Sequence, residues 1–441
     1  YAVSVHLEKY VNQRTIYKDN LKFLCMYDLA IKGGICLVDK EFTAANVGVN
    51  GNKIVYVGRE DIAGEIEIYA SGCFILPGLF NAHTHAAMTA LRGYAENMPL
   101  KDWLENVWRM EANLKCKDVY WGSILACVEM IKTGTTCFAD MYIFMDEVAK
   151  AVGESGIRAI LGYGMADRGD AERAKKELEV GLKFIKDWDG TFEGRIRCIL
   201  TPHAPYTCSK EFLLKIKEVS PGLVKHIHVS ETKWEVEEIK KTYGLTPVRF
   251  LDSIGFLDEK TVVAHAVWLD DEEIKILAER KVSVAHCPAS NLKLSSGIAR
   301  VAEMLEQGVN VCIGTDGAAS NNMLNMFAEI RLASLLQLYR QKYISGQQYL
   351  KMATENGYRA YGLRGGRIEK GYLADIIVVS KSYSHIPVYN PFHSILFASK
   401  GCEVKHVIVN GELVMEDRAI LTLDEERVLE KVEEIAERLA S

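Results

Sequence analysis

A chain of 441 residues with 49% hydrophobic and 25% charged residues has the composition of an ordinary packed protein, which excludes a disordered chain, a fibre or a single small binding module. Its 53 Lys and Arg against 59 Asp and Glu leave a net charge of −6. With no long basic run to offset that balance, a general nucleic-acid or anionic-membrane binder is excluded.

The 11 cysteines are odd in number and scattered, with no C-x-x-C pair, as expected of reduced thiols in a cytoplasmic protein. No apolar stretch approaches the roughly 18 residues that would span a bilayer. Residues 1–27 are mixed and charged, match no element pattern, and stand as an unassigned N-terminal extension. Residues 28–72 read as short alternating strands, with Asn50-Gly51 as a hairpin signal. Residues 371–425 have the same character. Together the two pieces predict one small β-sandwich-like domain built from both ends of the chain, with a helix over 426–441.

Between them, over 73–370, eight short apolar runs recur at 73–83, 135–140, 157–163, 196–203, 223–229, 261–265, 282–286 and 309–316. Helix-length stretches separate them. Buried parallel strands read as such runs, and strands alternating with helices imply βαβ units, so an α/β chain with a (β/α)₈ barrel of TIM type is expected. Lys117–Lys132 and Val301–Gln307 have helical spacing, and Gly134 and Gly308 sit where those helices end.

In a barrel, catalytic groups sit at the C-terminal ends of the strands. The first run ends in His83-Thr84-His85, whose period of two points both imidazoles to one face. The fifth ends in His226-Ile-His228-Val-Ser-Glu231, the sixth in His265, and the eighth in Gly314-Thr-Asp316. Three His and one Asp make an N/O donor set suited to Zn²⁺ or Fe²⁺. His226 and His228 share parity, so spacing alone leaves either as the ligand; His228 is nearer the strand end and Glu231. His286, in Ala285-His-Cys-Pro, is expected to fix its loop.

The strings Pro77-Gly-Leu-Phe-Asn-Ala-His83-Thr-His85, His228-Val-Ser-Glu231-Thr, His265 and Gly314-Thr-Asp316-Gly resemble the metal-dependent amidohydrolase superfamily over about residues 28–425. Within it, Leu91-Arg-Gly, Asp102-Trp103-Leu, Pro202-His203-Ala-Pro-Tyr206, Pro288-Ala-Ser-Asn-Leu-Lys-Leu294 and Gly317-Ala-Ala-Ser320-Asn-Asn322 are similar to the 5′-methylthioadenosine/S-adenosylhomocysteine deaminase group. The resemblance implies hydrolytic deamination at adenine C6 of a 5′-modified adenosine, with no nucleic-acid or membrane partner and a homo-oligomeric assembly. Binuclear relatives carry a modified Lys or an acid at the end of strand four. Here that run ends in Pro202-His203, so one metal is expected, bound by His83, His85, His228 and Asp316.

On that reading Asp316 accepts the proton of the attacking water, Glu231 shuttles a proton to purine N1, and His265 orients the water. The resemblance also implies that Glu111 binds the ribose hydroxyls, that Trp103 packs near the 5′-substituent, and that His203 and Ser320 line the purine site. Where the group often carries an Arg after strand three, this chain has Gly162-Tyr163-Gly164. Arg168 and Arg173 are the candidates to bind a substrate carboxylate instead. The alternative on the same scaffold is a guanine-type or triazine deaminase or chlorohydrolase, which has no ribose diol for Glu111 to meet. A non-catalytic relative is disfavoured by the full set of strand-end side chains.

Overall fold

In the computed structural model, which describes residues 26–440, the strands fall into three groups along the chain. β1 (Met26–Val38), β2 (Glu41–Asn50), β3 (Lys53–Gly58), β4 (Ala63–Tyr69) and β5 (Cys73–Pro77) come first. β6 (Leu79–Thr84), β7 (Thr135–Tyr142), β8 (Arg158–Met165), β9 (Ile196–Cys198), β10 (Thr201–Pro202), β11 (Lys225–Val229), β12 (Thr261–His265), β13 (Ser283–His286) and β14 (Asn310–Ile313) occupy the middle, mostly with helices between them. β15 (Ile376–Ser380), β16 (Val404–Val409), β17 (Glu412–Glu416) and β18 (Ala419–Ile420) follow, and then a helix over Glu425–Ala440. The extension expected over residues 1–27 lies outside the described residues, apart from Met26 and Tyr27 at the start of β1.

β5 pairs antiparallel with β15, Pro77 opposite Ile376. That ladder joins the first and last groups in one nine-stranded sheet. Alternation along its central strands gives the sheet two buried faces. Ile75, Ile376, Val378 and Ile408 pack with Leu29, Val47 and Ile54 in a core of their own. Phe74, Leu76, Ile377, Val379 and Val407 face the other way, into the main core.

The middle strands are parallel and buried, as short continuous apolar runs require. β6, β7 and β8 lie side by side with β9 and β10 both on β8, and β11 to β14 form a second sheet. A parallel bridge between Leu200 and Lys225 links the two sheets. At the other seam the Asp316 N–H donates to the His83 carbonyl at 2.9 Å. The run expected over 73–83 is two strands rather than one, and this corrects its reading as a single barrel strand. Its first half belongs to the nine-stranded sheet, and the chain crosses between sheets at Gly78, where a Cβ would sit 2.1 Å from the Thr136 hydroxyl. Among the described residues no helix is long and apolar enough to cross a membrane.

A buried ion pair fastens the two kinds of sheet. Arg158 at the start of β8 donates from Nε to Asp375 at 2.7 Å and from a second nitrogen at 3.1 Å. Tyr358 and the Asn410 N–H also donate to Asp375, at 2.6 and 2.7 Å. Removing one partner of a buried pair leaves the other charge uncompensated, so Arg158→Met is expected to lower unfolding free energy by about 3–5 kcal/mol. Denaturant unfolding checks this; a loss well under 1 kcal/mol would mean that the pair holds nothing.

Candidate active site

The C-terminal ends of β6, β11 and β12 and Asp316, three residues past the end of β14, converge on one point. The His83 ring lies 4.9 Å from the rings of His85 and His228 and 5.4 Å from that of His265. Asp316 Oδ1 is 3.2 Å from His85 Nε2 and 3.6 Å from His83 Nε2. Glu231 Oε2 is 3.7 Å from His265 Nε2. Close packing sets these positions. Gly314 admits no side chain, because a Cβ there would lie 2.7 Å from the His83 nitrogen. Non-glycine residues with positive φ cluster at the same strand ends, at Ser230 (51°), His265 (71°), Ala266 (47°) and Asp316 (61°). Such conformations cost on the order of 1–3 kcal/mol each and gather where geometry is functionally constrained.

His83, His85 and His228 each offer a ligand atom, and these atoms lie within 4.8 Å of one another. Both ring nitrogens of His83 are buried without a hydrogen-bond partner, which a coordinated ion would relieve at one of them. The other two rings are oriented from behind: His85 Nδ1 meets the Met141 carbonyl and His228 Nδ1 meets the His203 carbonyl, both at 2.7 Å. Held so, each presents Nε2 as the free donor, the usual arrangement behind a metal-ligating imidazole. Burial pushes His83 down to about 4 and takes His228 well below its ordinary value, so both are neutral and need shed no proton to bind a cation. Burial works to raise the Asp316 carboxyl, but His83, His85 and His265 hold it well below the usual carboxylate range. Two neutral imidazoles, a third ring and a carboxylate fit a divalent ion.

The His226 ring is equally near that of His83, at 4.9 Å, but its ligand atoms fall outside the three-histidine group. Its Nδ1 bonds the Tyr361 hydroxyl at 2.8 Å, below the cluster, so of the two histidines left open by spacing it is His228 that faces the others. His286 is buried with neither ring nitrogen paired, so no hydrogen bond from its ring fixes the loop that it was expected to hold. His265 donates from Nδ1 to Asn291 Oδ1 at 2.8 Å, and the Ser296 hydroxyl donates to Glu231 at 3.2 Å. Burial pushes the Glu231 carboxyl up, with Asp316 nearby adding to the shift and His265 opposing it.

A cavity of about 340 Å³ opens over this floor. His85, His228, Glu231, His265 and Asp316 line its base, and its walls include Trp103, Glu111, Arg168, Arg173 and His203. Trp103 and Glu111 both come from the helix Leu100–Glu111, so the helix periodicity and the placement at the cavity hold together. Glu111 accepts the Tyr142 hydroxyl at 2.6 Å, and burial pushes its carboxyl up. Arg168 lies with its guanidinium 4.9 Å from the Trp108 ring centre, while Arg173 sits 3.4 Å from Glu177. Ser320 is not on the cavity wall: its hydroxyl donates to Asp316 Oδ2 at 2.7 Å. Its expected place at the purine is corrected to one behind the carboxylate, because the short helix Ala318–Asn321 turns back over Asp316.

Sequence reasoning missed several residues around the site. Tyr142 ends β7, and only its partner Glu111 drew attention. Ser290, Asn291 and Ser296 belong to or follow a string singled out for resemblance alone. Glu235 accepts the backbone N–H groups of Ser230 and Glu231 at 2.9 and 2.8 Å. Its position three residues past the helix-capping Thr232 is a capping-box signal that pointed to it.

The amidohydrolase family profile matches residues 74–414. The chain is 60% identical, over 93% of its length and 99% of the relative's, to a 5-methylthioadenosine/S-adenosylhomocysteine deaminase of Archaeoglobus fulgidus. It is 44% identical, over 94% of its length and 99% of the relative's, to a 5′-deoxyadenosine deaminase of Methanosarcina acetivorans. Among solved structures, an adenosine deaminase from Xanthomonas campestris with bound zinc superposes with a TM-score of 0.90 at 30% identity, covering 94% of this chain and 99% of that one. A profile spanning both ends of the parallel-strand region, and relatives matched over nearly their whole length, leave one assignment: the chain belongs to the amidohydrolase family and is a hydrolytic enzyme of it.

Proposed function

We propose that the protein deaminates 5′-modified adenosines at C6, releasing ammonia and the corresponding inosine. The observation that carries this reading is one cavity with the His–Asp–Glu floor at its base and the Glu111–Tyr142 pair on its wall. The pair suits a ribose diol above a purine, whereas a free base or a triazine has no diol for Glu111 to meet. The names of the similar deaminases support the same substrate class.

His83, His85, His228 and Asp316 would hold one divalent ion, zinc in the first instance. A divalent ion so held brings the acidity of a water close to neutrality. Asp316 would take a proton from the attacking water as the oxygen of the water bonds to C6. Glu231, whose burial keeps it protonated further up the pH scale than an ordinary glutamate, gives a proton to N1 and so makes the ring accept the attack. His265, fixed by Asn291, stabilises the oxygen on the tetrahedral carbon. The amino nitrogen then takes up the proton gathered at Asp316 and leaves as ammonia, the proton of the remaining C6 hydroxyl returns to Glu231, and the ring recovers its planarity as the oxo product. Trp103 packs on the 5′-substituent and His203 lines the purine.

Arg168 is the better placed of the two arginines for a substrate carboxylate, since Arg173 already faces Glu177. Its stacking on Trp108 ties it up in part, so 5′-methylthioadenosine or 5′-deoxyadenosine is expected to match or exceed S-adenosylhomocysteine in kcat/KM. Ammonia release from these three, adenosine, guanine and a chlorinated triazine tests both statements. Turnover of guanine alone would sink the substrate class, and a strong preference for S-adenosylhomocysteine would sink only the order. We further propose that the two parallel sheets close as the eight-stranded barrel, that the nine-stranded sheet curls as a sandwich over its own core, that the enzyme works as a homo-oligomer, and that it resides in the cytoplasm, this last supported by the free state of the described cysteines.

A further inference from the structure

Asp316 has two oxygens with different surroundings. Oδ1 faces the Nε2 atoms of His83 and His85. Oδ2 faces away, and accepts the hydroxyls of Ser290 at 2.6 Å and Ser320 at 2.7 Å. Oδ1 also accepts the Gly317 N–H at 2.8 Å, a contact within its own turn. The two serines come instead from separate short helices, Pro288–Lys293 after β13 and Ala318–Asn321 after β14, so the pull on Oδ2 depends on the separation that these two helix-bearing loops keep.

One buried side chain outside both loops spans them. Glu329, on the helix Met326–Tyr339 and 2% exposed, accepts the Ala289 N–H on Oε2 at 3.1 Å and the Asn321 side-chain amide on Oε1 at 2.8 Å. Ala289 immediately precedes Ser290, and Asn321 immediately follows Ser320. The Asn321 amide also donates to the Thr315 carbonyl at 2.7 Å, next to Asp316 itself. Each oxygen of Glu329 therefore pins one of the two residues that adjoin a serine on Asp316, and it touches neither the cavity nor the histidines.

We propose that Glu329 is a positioning residue for Asp316, acting through the two loops that carry Ser290 and Ser320 so that Oδ1 stays turned toward His83 and His85. The inference rests on the reading of Asp316 as a metal ligand, and its test reads metal affinity as well as activity. Residues that orient a ligand from behind typically govern metal affinity or activity by about 10–100-fold. Glu329→Gln, which keeps the shape but offers an N–H where an acceptor is needed, is expected to weaken zinc binding by about that factor in competition with a chromophoric chelator. kcat should fall in parallel while KM for 5′-methylthioadenosine holds.

The Ser290→Ala/Ser320→Ala pair should show a similar loss, and adding Glu329→Gln to it should cost little more, because the relay has already been cut. A structural role alone would give additive losses, since the serines would then be independent of Glu329. Additive losses, or zinc affinity unchanged in Glu329→Gln, overturn the proposal while leaving the deaminase reading intact. Wild-type protein that binds no zinc overturns both. Should Glu329→Gln fail to fold, Asn321→Ala cuts the same link from its other end, and an unchanged affinity there is equally fatal.

Discussion

Glu231→Gln is expected to lower kcat by about 10²–10⁴-fold, the range that a positioned proton-transfer group contributes, with the zinc content of the protein unchanged. The carboxyl sits over the floor of the cavity, 3.7 Å from His265 and outside the three-histidine group, so the substitution removes a proton carrier without touching a proposed ligand. The glutamine still fills the space and still meets the Ser296 hydroxyl, which keeps the loop in place. Turnover with 5′-methylthioadenosine alongside metal analysis separates the outcomes. Retained activity removes Glu231 from the chemistry, and lost zinc would show instead that the loop after β11 supports the ion.

The second large effect is removal of the metal. Dialysis against a chelator is expected to abolish ammonia release, and added zinc to restore it with saturation at one equivalent per chain. A titration in which activity follows a second equivalent would refute the single-ion reading. The same experiment has a stability arm. An ion that binds the folded chain alone, at about a thousand times its dissociation constant, adds about 4 kcal/mol. The buried His83 nitrogens that lack partners predict a clear rise in unfolding temperature with zinc, and an apo protein as stable as the loaded one would count against the site.

How much of this was written in the sequence depends on range. The buried parallel strands were legible because both of their faces are covered and apolar runs result. The strand-end rule then singles out His83, His85, His228, Glu231, His265 and Asp316 from the sequence alone. The break at Gly78 was not legible, because β5 and β6 are both fully buried and read as one run; only the neighbour Thr136, about 58 residues on, explains it. Ser320 was given to the purine because its position in the string carried the inference, while its hydroxyl is directed by a helix too short to read from periodicity. Glu329 had no local signal at all: a glutamate in a helix that also carries Arg331, Ser334 and Gln337 looks like any other until the loops that it holds are in place.

The pairing of β5 with β15 bears on how the chain is made. Pro77 waits for Ile376, about 300 residues later, and at roughly 5–20 residues per second on the ribosome that is roughly 15–60 s. Through that interval β5 offers one unpaired edge, the kind of surface along which nascent chains associate wrongly. Pairing over so long a separation also slows folding, because the loop must close before the contact rewards it. Arrival of β15 ends the exposure, and with it Asp375 reaches Arg158, so one late strand both caps the open edge and fastens the early strands to the body that carries the site.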